Sequence, residues 1–237
     1  MSDAALASSR ERHETADRRL ARASSRLDAL VDWEHRSRAA MRVDLEPVRD
    51  LLARLGDPHR RLRVVHVTGS KGKGSVCALI EAGLVHAGLR AGRYASPHLE
   101  HLNERVSLLG QPIADAALAD ALFTTLDALA AARNAGTRGG AATWFDAMTA
   151  AALLAFAEAG LEWAVVEVGL GGRLDSTNIV LPELAIITNI GLEHCDVLGA
   201  TREAIAAEKA GIVKPERPLL TTPVSYTHLT LPTIYSV

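Results

Sequence analysis

Arg63-Val64-Val65-His66-Val67-Thr68, running directly into Gly69-Ser70-Lys71-Gly72-Lys73-Gly74-Ser75, is the stretch from which the fold is read. Val64 to Thr68 has the composition of a short buried strand. Val76, Leu79, Ile80, Leu84 and Ala87 then recur at helical spacing, so a helix is expected after the glycines and until about Gly88. Strand, glycine loop with lysine, then helix is an arrangement that holds nucleotide phosphates. Glycines let the backbone turn tightly and aim N–H groups inward, and the helix N-terminus adds partial positive charge. Lys73 is expected to reach the outer phosphates and Ser75 to meet a metal ion. The usual P-loop pattern asks for glycine where Val67 stands and for a hydroxyl directly after the lysine, where Gly74 stands. The competing reading is an ordinary glycine-rich turn carrying a solvated lysine.

Working outward, apolar runs alternate with helical patterns. Helices are expected over Asp44 to Leu55, Asp115 to Arg133, Trp144 to Ala159 (capped by Thr143) and Thr201 to Ala210. Strands are expected over Arg90 to Ala95, Val106 to Leu109, Glu162 to Val168, Leu184 to Thr188 and Pro218 to Thr222. Asn134 to Gly140 reads as a mobile loop. The alternation implies an α/β fold with a doubly wound, mostly parallel sheet and a P-loop-type ATP site. In such sheets ligands bind beyond the carboxyl ends of the strands. Three of those ends are polar: the Gly69–Ser75 loop, Glu167 followed by a glycine turn with Arg173 and Asp175, and Asn189 followed by Glu193 and His194. Their convergence would make a nucleotide–Mg²⁺ site. Each residue also has a plainer reading. Glu167 pairs with Arg173, His194 is a loop histidine, Ser96 is a turn residue before proline, Lys209 answers a helix dipole, and Glu208 is solvated.

Composition narrows the classes. The 237 residues are 48% hydrophobic and 23% charged, enough for a sizeable core, and the net charge of −2 gives no reason to expect nucleic acid or a membrane as partner. Two cysteines make no disulfide framework and fit a cytoplasmic protein. The N-terminus lacks the apolar core of a signal peptide. Residues 1–25 read as a polar extension, helical toward its end, with 26–224 as the ATP-binding domain.

The motifs carry a resemblance. Gly69 to Ser75 resembles the ATP loop of the Mur ligase superfamily. Ser96-Pro97-His98-Leu99, Asn103-Glu104-Arg105-Val106, Glu167 to Asn178, Ile190-Gly191-Leu192-Glu193-His194 and Glu208-Lys209-Ala210-Gly211-Ile212 are similar to folylpolyglutamate synthase/dihydrofolate synthase. The resemblance implies the central domain of a Mur ligase. It implies an ATP-dependent ligase that phosphorylates a dihydropteroate or folate carboxylate and lets the amine of L-glutamate attack the acyl phosphate. By the match, Gly69, Ser70, Lys71, Gly72, Lys73, Gly74 and Ser75 would hold ATP, and Ser96, Glu167 and His194 would hold Mg²⁺. Lys209 would be carbamylated and help hold a second Mg²⁺, so Lys73, His194 and Lys209 are the expected catalytic residues. Thr143, Trp144, Phe145 and Asp146, with Arg173, Leu174, Asp175 and Ser176, would line the pterin pocket; an aromatic there can stack on the heterocycle, and Trp144 and Phe145 at a helix start are equally ordinary core residues. Ser70, Lys71 and Glu193 depart mildly from the family's pattern. Residues 225–237 are unlike the family, and its further C-terminal domain does not follow, so this chain alone is expected not to complete ligation. The full-length protein is expected to be a monomer. The alternatives are a Mur-type ligase of cell-wall precursors, against which Ser96-Pro97-His98 and Leu174-Asp175 argue, and a nucleotide-binding module without catalysis.

Overall fold

A computed structural model describes residues 15–32 and 44–222; the expected tail at 225–237 and the first fourteen residues of the extension lie outside them. The strands are β1 (Arg63–Thr68), β2 (Ala91–Tyr94), β3 (Val106–Leu108), β4 (Gln111–Pro112), β5 (Trp163–Glu167), β6 (Pro182–Ile187) and β7 (Leu219–Thr221). They form one sheet in the order β4-β3-β2-β5-β1-β6-β7. From β2 to β7 every pairing is parallel, while β3 runs antiparallel to β2 and β4 to β3. The chain winds from β1 outward to β2, returns to β5 between them, and crosses to β6 on the other side of β1. That reversal opens a crevice at the carboxyl ends of β1, β5 and β6.

The helices are α1 (Ala16–Asp28), α2 (Glu46–Arg54), α3 (Lys73–His86), α4 (Asp115–Asn134), α5 (Trp144–Glu158), α6 (Cys195–Leu198) and α7 (Arg202–Ala210). They cover both faces of the sheet, which is why the central strands are apolar on both sides. On one face Val65, Val67, Val165 and Ile186 pack against Cys77, with Val76, Ile80 and Leu84 of α3. On the other, Val64, Ala164, Val166 and Tyr94 join the larger core built from α1, α2, α4 and α5. The expected α4 stripe of Leu118, Leu122, Leu126 and Leu129 is buried there.

Three expectations need correction. Leu79 was expected on the buried stripe of α3 but is 73% exposed, whereas Glu81 is 3% exposed. The face set by Cys77, Ile80 and Leu84 leaves position 79 turned outward. Glu81 tolerates burial because it accepts from Ser107 Oγ (2.6 Å), Arg93 Nε (3.0 Å) and the Gly110 N–H (3.3 Å), which ties α3 to the β2–β3–β4 edge. The expected boundary near residue 25 falls inside α1, whose Ala23 and Leu27 are buried in the core. The loop expected to be mobile at 134–140 is fastened by Asp50, which accepts from Thr137 Oγ1 (2.6 Å) and the Gly139 N–H (2.5 Å). These bonds hold the Asp50 carboxyl below its ordinary range.

Candidate active site

The loop after β1 is shaped by glycine at two places. At Gly69 (φ +151°) a Cβ would sit 1.8 Å from Thr188 Oγ1, so no side chain fits. At Gly72 (φ +79°) there is open space, and the requirement is the left-handed backbone that lets the chain turn into α3. The loop is bolted to the segment after β6. Asn189 accepts from the Ser70 N–H through its backbone oxygen (3.1 Å) and from the Lys71 N–H through Oδ1 (2.9 Å). Thr188 Oγ1 and Asn189 Nδ2 donate to the Lys71 oxygen at 2.7 and 3.1 Å. Ser70 Oγ accepts from the Gly191 N–H at 2.9 Å. Ser70 and Lys71 therefore spend these groups on holding the loop in shape. The first-turn N–H groups of Lys73, Gly74 and Ser75 have no intrahelical acceptor and form the anion-facing end of α3.

The glycine turn after β5 lies beside this loop. Thr68 Oγ1 donates to the Gly171 oxygen (2.7 Å). Gly172 and Gly211 let the turn lie directly on the end of α7: a Cβ on Gly172 would come within 2.7 Å of the Glu208 oxygen, and one on Gly211 within 2.4 Å of Arg173 Cβ. This close approach brings α7, capped by Thr201 at the Ala204 N–H (3.2 Å), up to the crevice. Lys209 is 1% exposed, and its Nζ donates to Glu193 Oε1 at 2.8 Å. Burial lowers the Lys209 pKa, and the Glu193 bond and charge act the other way. Burial raises the Glu193 carboxyl, but the bond and charge of Lys209, with help from Ser70 and Lys73, bring it below its ordinary value. Lys73, Gly69, Gly169 to Gly171, Glu193, His194 and Lys209 line one cleft. His194 is exposed and sits in the left-handed region (φ +46°) as α6 begins.

Glu167 ends β5 beneath the first turn of α3; a Cβ on Gly74 would be 3.5 Å from its Oε2. The same oxygen accepts from the Ser96 N–H at 3.4 Å, bringing two expected metal residues together. Burial pushes the Glu167 pKa up, opposed by Lys73 and the Ser96 bond. The plainer reading of a Glu167–Arg173 pair is not what forms: Arg173 bonds Glu208 Oε1 at 2.8 Å, so Glu208 is engaged too. Among the described residues no three His, Cys, Asp or Glu side chains cluster as a metal centre by themselves.

The two segments expected to line a pterin pocket do meet, since Ser176 Oγ donates to Asp146 Oδ1 at 2.6 Å. Trp144 is 4% exposed, with the Arg105 guanidinium 4.6 Å from its ring centroid and its Nε1 donating to Asp28 Oδ1 at 3.0 Å. On that side the ring is packed by Arg105, in line with the core reading. Phe145 is half-buried; its centroid is 6.1 Å from that of Tyr94, and it excludes any side chain at Gly169, where a Cβ would lie 2.6 Å from its Cζ. Asp146 closes a capping box with Thr143 and is raised in pKa by burial. Leu174 is half-buried beside buried Asp175. Sequence reasoning gave no role to Arg105, which is buried and donates to His98 Nδ1 at 2.7 Å, or to Glu104, which gathers the N–H groups of Leu99, Glu100 and His101. Their one signal was their place in the Asn103-Glu104-Arg105-Val106 motif.

Comparisons with known proteins agree with this architecture. Residues 114–219 match the model of the Mur ligase middle domain. The dihydrofolate synthase/folylpolyglutamate synthase of Bacillus subtilis is 42% identical over 194 residues, covering 80% of this chain and 44% of that one. Escherichia coli FolC, solved in complex with DHPP and ADP, superposes with a TM-score of 0.74 at 37% identity, over 88% of this chain and 47% of that one. Mycobacterium tuberculosis folylpolyglutamate synthase complexed with ADP gives 0.77 at 33% identity, over 87% and 45%. The chain thus spans somewhat under half the length of the relatives it matches. No helix among the described residues is long and apolar enough to cross a membrane. With its motifs in order around one crevice and these likenesses across most of its length, the chain belongs to the folylpolyglutamate synthase/dihydrofolate synthase family of Mur ligases.

Proposed function

We propose that this chain carries the ATP site of a ligase that joins L-glutamate to a pteroate or folate carboxylate. The observation that carries the reading is the position of Lys73. It opens α3 at the mouth of the cleft, within electrostatic reach of Glu167, Glu193 and Lys209, with Gly69 and the Gly169–Gly171 turn forming the walls. The solved relatives with ADP make ATP the nucleotide of choice. In the reaction the folate carboxylate takes the γ-phosphoryl group of ATP, giving an acyl phosphate and ADP. The glutamate amine then attacks the acyl carbon, phosphate leaves, and the nitrogen loses a proton. Lys73 and the first N–H groups of α3 meet the charge on the phosphoryl oxygens as it transfers.

Mg²⁺ suits the residues present. Glu167 is a buried carboxylate whose hydrogen bond to Ser96 is long, leaving oxygen lone pairs for a hard cation. With no ready-made cluster of acidic or imidazole ligands among the described residues, the ion would draw on Glu167, the Ser96 hydroxyl, His194, water and phosphate oxygens, which is how Mg²⁺ is commonly held. When bound it would neutralise charge between the outer phosphates. Lys209 is proposed to act as its carbamate. Burial favours the neutral amine that CO₂ requires, but the Glu193 bond favours the ammonium, so carbamylation must break that bond and set two anions side by side. A cation between them would make this tolerable.

A reading through Glu167 is tested by calorimetry with a non-hydrolysable ATP analogue. Added Mg²⁺ should tighten binding to the wild type and do so far less in Glu167→Gln. Equal Mg²⁺ dependence in both would remove Glu167 from the metal site.

A further inference from the structure

His66 lies on β1, two residues before the strand ends in the phosphate loop, and is 0% exposed. Its Nε2 is 2.9 Å from Thr177 Oγ1. Thr177 donates to Asp175 Oδ1 twice, through its hydroxyl (2.5 Å) and its N–H (3.0 Å). The other carboxylate oxygen of Asp175 accepts from the Leu170 N–H at 2.8 Å. We infer that His66 is a positioning residue: through the Thr177 hydroxyl it fixes Asp175, and Asp175 holds the backbone of the glycine turn that walls the cleft.

The direction of the bonds follows from the chemistry. Burial pushes the Asp175 carboxyl up, but donors converge on both of its oxygens, from Thr177 on one and Leu170 on the other, and it acts as an acceptor. The Thr177 hydroxyl gives its one proton to Asp175, so its oxygen must accept from His66. The imidazole therefore carries its proton on Nε2. Its Nδ1 is buried with no hydrogen-bond partner among the described residues, and a bare acceptor there is more readily tolerated than an orphaned donor. Burial, with the charge of Lys214, drops the ring's pKa to about 3, so it stays neutral through the physiological range. A hydrocarbon of similar size would fill the same space without stranding a nitrogen. The histidine keeps that disadvantage where its other nitrogen orders a hydroxyl. Thr68, on the same face of β1, holds the same turn by its bond to the Gly171 oxygen. Strand β1 thus carries one loop of the cleft and steadies the other.

The consequence for binding rests on the nucleotide reading of the cleft, so the test has readouts with and without nucleotide. The long-range ¹⁵N spectrum of the whole chain should show His66 as the Nε2–H tautomer; the Nδ1–H tautomer overturns the relay. His66→Leu and Thr177→Val should each speed hydrogen exchange of the Leu170 amide at least tenfold. Each should weaken binding of a non-hydrolysable ATP analogue roughly five- to tenfold, the scale of one lost buried hydrogen bond. Combining them should add little, because both break one chain of bonds. His66→Gln, which retains an N–H donor at that reach, should recover most of both effects. Identical behaviour of His66→Gln and His66→Leu, full additivity, or wild-type Leu170 exchange in Thr177→Val would overturn the inference. Where His66→Leu does not fold, Thr177→Val and His66→Gln decide. If the wild type binds no nucleotide, the proposed function fails, and the tautomer and exchange readouts judge the relay alone.

Discussion

Lys209 Nζ lies 2.8 Å from Glu193 Oε1, and the two partners meet water very differently: the lysine side chain is 2% exposed and the glutamate 17%. Removing one partner strands the other, and the stranded lysine has far less access to solvent. Glu193→Gln should therefore destabilise the fold by up to about 3 kcal/mol, toward the range for broken buried pairs. Lys209→Met should cost clearly less, because Glu193 can turn to water while an apolar chain fills the lysine's place. Urea unfolding midpoints of the two variants check the order. Equal losses would mean that the pair is not buried asymmetrically.

Glu104 links acidity to the loop that carries Ser96 and His98. Its carboxylate accepts from the N–H groups of Leu99 (2.7 Å), His101 (2.8 Å) and Glu100 (3.0 Å), and these bonds lower its pKa from 4.5 to about 2. A depressed carboxyl contributes its stabilisation in full above its unfolded value and loses it as pH falls through the folded one. The loop should hold above pH 4.5 and loosen progressively toward pH 2. Glu104→Gln should expose the Leu99, Glu100 and His101 amides to faster hydrogen exchange already at neutral pH. Unchanged protection of those three amides would show that the carboxylate does not hold the loop.

Much of the fold was legible because each central strand is a short apolar run closed by glycine or proline, and each long helix has its own stripe. The antiparallel β4 and the one-turn α6 were not, since elements of two and four residues carry no periodicity. The crevice was legible in part: Glu167 ends β5, and Lys73 and His194 lie in the segments that follow β1 and β6, whereas Lys209 reaches it from the last turn of α7. What the residue types could not reveal was burial of charge. Glu81 and Arg105 look like surface residues until their partners are known, and those partners, Ser107, Arg93, His98 and Trp144, come from elements brought together only by folding. The two readings of Trp144, stacking platform or core residue, could not be separated from sequence for the same reason. An aromatic at a helix start fits both, and only folding shows that Arg105 lies against one side of its ring.

The central claim is that the end of α3 receives the phosphates of ATP, with Lys73 as the charged contact. Calorimetric titration of wild type and Lys73→Ala with a non-hydrolysable ATP analogue and Mg²⁺ tests it most directly, with thermal unfolding of both as the control for folding. The expected result is binding by the wild type and a loss of roughly ten- to a hundredfold in the variant, the scale of charge-assisted bonds to phosphate, at a similar melting temperature. Equal affinity in the two proteins, both folded, would contradict it.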